Sequence, residues 1–345
     1  MDAKELKVIA VGIGEMGKIG VQTLIDHGVK IVGAVDINEK LIGKDVAEVS
    51  GYAPIGVAIE KDLATVIKRE SPNLAFFASD PGMENIKGDM IMCAENKMNV
   101  VTTIMDVFHR NPAVGADYDE IDKAFKDNGV SLFSSGINDV WWSGIGIDMA
   151  GTCKKIEAID FSQMLPLNGM GLGVARDFRV GWDPAEYMKE MEGVDLSMEE
   201  SCSGPYMSLM KNAEILKLHV TEENITTEPC VCDRDIEMPQ WDMTVKAGTM
   251  LGSVFTITLK TEEGITLSNQ TYIKVLIDDE KPGTTWTIKG EPDLKVELND
   301  IAGEITTSAT TINRIPQVIH AKPGIVTLAD LPERPVYLNG IWNEI

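Results

Sequence analysis

One stretch near the start leaves this chain few options. The apolar run Lys7–Val11 (KVIAV) opens into Gly12-Ile13-Gly14-Glu15-Met16-Gly17, and over 18–27 the apolar spacing turns helical. A second apolar run, 31–35 (IVGAV), ends on Asp36, twenty-four residues after Gly12. Strand, glycine turn, helix and acid-ended strand in this order are the context that a dinucleotide-binding fingerprint requires. Gly12 permits the tight turn out of the strand, Gly14 lets the backbone approach a pyrophosphate with no Cβ in the way, and Gly17 lets the helix pack closely on the strand. The N–H groups of the helix start, at Glu15 and Met16, then face the phosphates. Asp36 is placed to accept hydrogen bonds from an adenosine ribose diol, which favours NAD. Lys40 and Lys44 lie just beyond and could meet a 2′-phosphate, so NADP stays open.

The alternation continues. Residues 74–79 (LAFFAS), 99–103 (NVVTT) and 130–134 (VSLFS) read as buried parallel strands, with helical spacing over 61–70, 85–96 and 118–127. Ligands of such doubly wound sheets sit at the carboxyl ends of the strands, so the loops beginning at Ser79, Thr103 and Ser135, the last with Gly136 and Asn138, are expected at the cofactor. From about Lys154 the pattern becomes alternating and β-branched: 156–161, 253–260, 270–277, 284–289 and 294–298 read as strands of a largely antiparallel sheet. Between them 183–191 and 206–216 have helical spacing, and the glycine-rich run 168–173 reads as a flexible substrate-side loop. The stretch 302–320 reads as a helix interrupted at Pro316 that returns to the first domain. The expected fold is α/β: a Rossmann doubly wound parallel sheet over 1–153, an α+β domain over 154–300 for substrate and oligomerisation, and a C-terminal segment, 301–345, packing back on the first.

A chain of 345 residues is longer than one typical domain. Its net charge of -23 argues against nucleic acid, whose phosphates it would repel. The apolar stretches fall short of a membrane span. The first residues pass from charged side chains directly into a strand, which leaves no room for a signal peptide, so a cytoplasmic location is expected. The five cysteines, Cys93, Cys153, Cys202, Cys230 and Cys232, are scattered and make no disulfide framework. Cys230 and Cys232 would share one face of a strand, but His219 is the only nearby histidine and no metal site is expected.

The fingerprint GIGEMG, the NVVTT strand, the SSGIN turn at 134–138 and the tail TINRIPQVIHAKPGIVTLADLP together resemble the 2,4-diaminopentanoate dehydrogenase family. That family lies within the dihydrodipicolinate-reductase-like group that also holds the native amine dehydrogenases. The resemblance runs over essentially the whole chain. It implies reversible oxidative deamination, in which hydride leaves an amine-bearing carbon for NAD(P)+ and water hydrolyses the imine to ketone and ammonia. The family pattern after the NVVTT-type strand is a pair of glutamates and then tyrosine-proline; here the run is Ile104-Met105-Asp106-Val107-Phe108-His109-Arg110, so Met105 takes the first position and only Asp106 keeps an acid. Where the family has Asn-Pro-Gly, this chain has Asn138-Asp139-Val140-Trp141-Trp142. The family's histidine-bearing segment is replaced by Ser201-Cys202-Ser203-Gly204-Pro205-Tyr206. These departures suggest a substrate other than 2,4-diaminopentanoate.

Oxidising an amine or an alcohol moves a proton as well as a hydride, which calls for a titratable group within reach of the reacting carbon. Asp106, at the carboxyl end of a sheet strand, is the first candidate, although an aspartate there can also cap a helix. His109, on the same loop, is the second. Met105, Trp141 and Trp142 are expected to line the substrate, the tryptophans as an apolar wall at the end of a strand or as interface packing. Arg110 and Arg176 could clamp a carboxylate, or form ordinary salt bridges. Asn313, in the NRIP segment, is expected to hold the nicotinamide end of the site or to cap a broken helix. Met164, Met170, Met188, Met191, Met198, Met207 and Met210 crowd the expected substrate region, as core packing or a pliable pocket. The leading reading is an NAD(P)-dependent amine dehydrogenase acting on a small molecule. An alcohol or ketone oxidoreductase and a non-catalytic cofactor-binding homologue are the alternatives. A sheet with an open face or edge leads to the expectation of a homodimer or higher homo-oligomer.

Overall fold

In the computed structural model, which describes residues 6–79, 82–110, 114–196, 203–299 and 301–331, the chain forms two compact units. Among the described residues one unit holds everything up to Val140 together with the chain from Ala302 onward, and the other is Trp141–Ile301. The expected boundary at 153 is corrected to Val140. The helix of 145–150 packs on the second unit's sheet, which draws the chain before it into that unit.

The first unit is built on β1 (Lys7–Val11), β2 (Lys30–Val35), β3 (Ile59–Glu60), β4 (Leu74–Phe77), β5 (Asn99–Thr102), β6 (Ser131–Ser134) and β15 (Gly324–Val326). Their order is β15-β6-β5-β4-β1-β2-β3, and every pairing is parallel. Buried on both faces, β4 reads as a continuous apolar run, LAFF. Helices α1 (Glu15–Asp26), α2 (Val46–Val49), α3 (Leu63–Glu70), α4 (Met83–Glu95), α5 (Met105–Phe108), α6 (Gly115–Asn128) and α7 (Ile137–Asp139) connect the strands. One core cluster joins Ile9, Phe77 and Val100 of the sheet to Ile86, Met90, Ile121 and Phe125 of α4 and α6. Strand order reverses beside β1, with β2 on one side and β4 on the other, so the crevice for a ligand opens where the glycine turn begins. The strands β3 and β15 are too short to be seen in the apolar pattern, and helix α1 starts three residues before the expected 18 because its first turn is the fingerprint itself.

The second unit carries β7 (Lys155–Pro166), β8 (Val220–Val231), β11 (Met250–Thr261), β12 (Thr266–Lys274), β13 (Gly283–Glu291) and β14 (Leu294–Asn299), in the order β14-β13-β7-β12-β11-β8. Pairing is antiparallel except between β7 and β12. A small pair, β9 (Ile236–Met238) with β10 (Met243–Val245), stands apart. Strand β7 alternates, with Ile159, Phe161 and Gln163 buried. Phe161 stacks on Trp286 at 4.8 Å between centroids. Helices α8 (Ile145–Ala150), α9 (Leu172–Asp177), α10 (Pro184–Glu190) and α11 (Gly204–Leu216) complete the unit, and Ala150, Tyr206, Leu209 and Ala213 of α8 and α11 join the core of Phe161, Leu267 and Trp286.

The C-terminal stretch forms α12 (Gly303–Asn313) and α13 (Ile315–Ile319). The break falls at Arg314 rather than at Pro316, which sits in the first turn of α13, where its missing N–H costs nothing. Helix α12 packs on α1 in the first unit.

Candidate functional site

Five loops of the first unit leave the carboxyl ends of parallel strands, and they carry most of the expected site residues. Gly12 has φ +82, and a Cβ there would lie 2.8 Å from the Ser79 nitrogen, so only glycine makes this turn beside the loop after β4. A Cβ on Gly17 would lie 1.8 Å from the Gly12 oxygen. At Gly14, in contrast, no heavy atom stands within 4 Å of where a Cβ would be. Two glycines are thus demanded by the protein's own packing, and the third faces open space at the N-cap of α1, where no side chain caps the helix. That is a cradle for an anion that must approach the backbone closely, and a dinucleotide pyrophosphate fits it. Glu15 is exposed, while the Met16 carbonyl accepts a hydrogen bond from the Ser308 hydroxyl at 2.9 Å, which ties the start of α1 to α12.

Asp36 follows β2. Its Oδ2 accepts from the Ile13 N–H at 2.6 Å and its Oδ1 from the Asn38 N–H at 2.7 Å, which fixes the carboxylate beside the glycine turn. Lys40 and Lys44 are exposed beyond it.

After β5 the chain is held at one residue. The Ile104 N–H donates to the Thr102 hydroxyl at 3.1 Å and the Ile104 carbonyl accepts from the Ser134 hydroxyl at 2.7 Å, while the Thr103 N–H donates to the Phe77 carbonyl at 3.1 Å. Helix α5 then buries Val107 and Phe108 and leaves Met105, Asp106 and His109 half-buried. Asp106 lies in the first turn but is not the N-cap, which is Ile104; His109 ends the helix in extended backbone. Arg110 pairs with Asp119 through two hydrogen bonds of 2.8 Å, so of its two expected fates the salt bridge is the one observed.

After β6, Gly136 adopts φ +151 and a Cβ there would meet Thr307 at 3.0 Å. The Ile137 N–H donates to the Thr307 hydroxyl at 3.2 Å. Asn138 is buried, and its Nδ2 has no partner among the described residues, so a donor stands available at the carboxyl edge. Next to it Asp139 is fully buried against Arg314, with Nε–Oδ2 and Nη2–Oδ1 both at 2.7 Å, and the Ser135 hydroxyl donates to the same carboxylate at 2.8 Å. Arg314 also donates to the Gln317 Oε1 and the Leu331 carbonyl, and lies 5.5 Å from the Phe133 ring centroid. This ion pair fixes the turn that carries Gly136 and Asn138, and sequence reading missed it by one residue at each end. The signal was an acid beside Asn138 and a base beside Asn313.

Asn313 itself is misplaced by the sequence reading. Its Oδ1 meets His27 Nε2 at 3.2 Å, and His27 is the C-cap of α1. Twelve helical residues, about 18 Å at the usual rise, separate that end from the glycine turn. Thr307 and Ser308, earlier on α12, are the residues of this segment that reach the fingerprint end.

Trp141 and Trp142 do not end a strand. The chain is helical from Ile137, and Val140–Gly144 is a π-helical turn. The Trp141 carbonyl accepts from Trp286 Nε1 at 2.7 Å and Trp142 packs on the core of the second unit. Arg176 is exposed on α9 beside a cleft of about 450 Å³ lined by Leu172, Val180, Trp182 and Trp241. The run 168–173 is not a free loop: Asn168 exchanges two hydrogen bonds with Leu276, and Leu172 begins α9. The methionines are spread over several places, with Met188 and Met191 lining one cleft of the second unit together. Met207 is fully buried on α11, whereas Met188 and Met170 are exposed; Met198 and the pair Ser201-Cys202 lie outside the described residues.

With this geometry in place, the comparisons are specific. A family model of the C-terminal domain of 2,4-diaminopentanoate dehydrogenase matches residues 144–344, and one of the N-terminus of dihydrodipicolinate reductase matches 6–111. The 2,4-diaminopentanoate dehydrogenase of Acetoanaerobium sticklandii is 26% identical over 345 residues, covering 95% of this chain and 94% of that protein. The solved amine dehydrogenase of Mycobacterium smegmatis aligns at 25% identity with a TM-score of 0.78, over 96% of this chain and 98% of its own. The dipicolinate-bound dihydrodipicolinate reductase of Paenisporosarcina sp. TG-14, at 12% identity and a TM-score of 0.53 over 94% and 99% of the two chains, shares the fold.

Proposed function

The chain belongs to the 2,4-diaminopentanoate dehydrogenase C-terminal domain family, and from that membership we propose that it catalyses the reversible, NAD(P)-dependent oxidative deamination of a small amine or amino acid. The observation that carries this reading is the row of carboxyl-edge loops, in which the Gly14 cradle, Asp36, the unpartnered Asn138 Nδ2 and the pinned helix of Asp106 follow strands of one parallel sheet.

The glycine turn and the start of α1 would hold the pyrophosphate of a nicotinamide dinucleotide, Asp36 its adenosine ribose, and Asn138 Nδ2 would donate to its carboxamide end. The cofactor would supply the hydride acceptor for the amine-bearing carbon. Asp106 binds the substrate ammonium and accepts its proton, and the two hydrogen bonds on Ile104 hold Asp106 against drift. NAD is the preferred partner, because the Asp36 carboxylate would repel a 2′-phosphate. Met105, where the family carries its first glutamate, makes the wall beside Asp106 apolar, which suits a substrate with fewer charges than a diamino acid.

The test is NADH formation from a panel of small amines and amino acids, each paired with the alcohol of the same skeleton. Turnover of amines and not alcohols, lowered at least about 100-fold in Asp106→Asn with NAD affinity retained, supports the reading. Turnover of alcohols alone would refute it.

A further inference from the structure

One charge of the second unit is out of keeping with the rest of the chain. With 54 acids against 31 lysines and arginines, a base meets a carboxylate easily, and Arg69, Arg110, Arg179, Arg234 and Arg314 all do. Arg176 on α9 is the one arginine among the described residues that has no ion pair. Exposure does not account for this, because Arg69, Arg110 and Arg234 are half-exposed and still paired. Arg176 lines the cleft of about 450 Å³, and the other charged residue lining it, Asp242, is likewise unpaired among the described residues. A cation and an anion border one cleft without meeting each other.

The rest of the lining is apolar and fixed. Leu172, Val180, Met243 and the indole of Trp182 supply it. Trp182 is 40% exposed, yet it is not loose. Arg179 stands over its ring at 5.0 Å and is itself held by Glu190 through hydrogen bonds of 3.1 and 3.0 Å. The Gly181 N–H donates to the Met250 carbonyl at 2.8 Å, and the Met250 N–H donates to the Trp182 carbonyl at 3.0 Å, which ties this turn to the start of β11. Gly181 has φ +83, and a Cβ there would lie 3.3 Å from Met243 Cε. Trp241 donates its Nε1 to the Met170 carbonyl at 2.7 Å, and Asp242 follows it in left-handed backbone, φ +50. Every one of these residues belongs to the second unit.

This lining decides what fits. A guanidinium takes a carboxylate bidentately, a carboxylate takes an ammonium, and an exposed indole among aliphatic side chains takes an apolar or aromatic group. A phosphate or a dicarboxylate would meet the charge of Asp242, and a simple amine would leave Arg176 unmet. A zwitterion satisfies both charges at once. The cleft is also of the size of small-molecule sites, roughly 300–1,000 Å³.

We propose that this cleft binds a free amino acid with a bulky apolar side chain, its carboxylate on Arg176, its ammonium on Asp242 and its side chain against Trp182. Its occupancy needs neither cofactor nor turnover, so it stands or falls apart from the deamination reading.

The experiment is isothermal titration of the full-length protein, without NAD(H), by L-phenylalanine, glycine, 2-phenylethylamine and 3-phenylpropanoate. L-Phenylalanine should bind at least about tenfold more tightly than glycine or either singly charged analogue. Arg176→Gln should bring L-phenylalanine down to the level of 2-phenylethylamine, and Asp242→Asn should bring it down to that of 3-phenylpropanoate. Both variants should keep the wild-type thermal midpoint, since Arg176 is exposed and unpaired and asparagine tolerates the left-handed backbone at 242. Asp106→Asn should bind L-phenylalanine as wild type does. No saturable binding of L-phenylalanine overturns the site, as does equal binding of the singly charged analogues. Binding that persists unchanged in Arg176→Gln and Asp242→Asn comes from elsewhere and overturns it too.

Discussion

Three glycines of one motif have three different neighbours, and they predict three different variants. At Gly12 both the left-handed φ and the Ser79 nitrogen oppose a side chain, so Gly12→Ala should lower the thermal midpoint as well as abolish cofactor binding. Gly14 has open space, so Gly14→Ala should keep the wild-type midpoint while NADH binding, read by fluorescence titration, weakens at least about tenfold. Equal thermal loss in both variants would contradict the cradle. Asp36→Ala should raise the KM for NADH more than that for NADPH, since it removes the ribose acceptor and the repulsion of a 2′-phosphate together.

Among the elements, the turn after β6 depends on a buried pair. Arg314→Met leaves the Asp139 carboxylate without its cation and should cost about 3–5 kcal/mol in denaturant unfolding. The exposed pair Arg110–Asp119 should contribute about 0–1 kcal/mol when Arg110 is replaced. Helix α1 ends on a titratable contact. Burial lowers the His27 pKa, outweighing the hydrogen bond to Asn313 and the charge of Asp26, which raise it. The folded state thus disfavours the protonated ring. Its stability is fully present above the ordinary histidine value, about 6.5, and is lost as pH falls through that value toward the lower folded one. His27→Gln should flatten the fall of the urea midpoint over that window, and an unchanged slope would contradict it.

These elements also show what the sequence could and could not reveal. The strands β1, β2, β4, β5 and β6 are apolar runs between glycine and polar residues, and their period is legible without any partner. The two-residue β3 and three-residue β15 exist only because a neighbouring strand offers its edge. Asn138 is legible as a carboxyl-edge residue because it follows a strand in a known motif. Asp139 is not, because nothing local distinguishes a buried ion pair across 175 residues from a solvated acid. Asn313 is the last residue of α12, and which end of α1 that meets depends on the direction in which the two helices run past each other, which apolar spacing does not reveal. The tryptophans read as following a strand because a π-helical turn has no sequence signature of its own.

At the scale of the molecule, a parallel sheet that carries a dinucleotide fingerprint is joined to a mixed sheet with helices on one face, and the match to the amine-acting family covers residues 144–344. Membership assigns the chemistry to an amine-bearing carbon. The direct test of that chemistry is oxidation of NADH and NADPH by the purified protein with a panel of ketones and keto acids, each with and without ammonium. Oxidation that requires ammonium, and is lost in Asp106→Asn, is the predicted result. Oxidation that proceeds equally without ammonium would make the protein a carbonyl reductase and contradict the assignment.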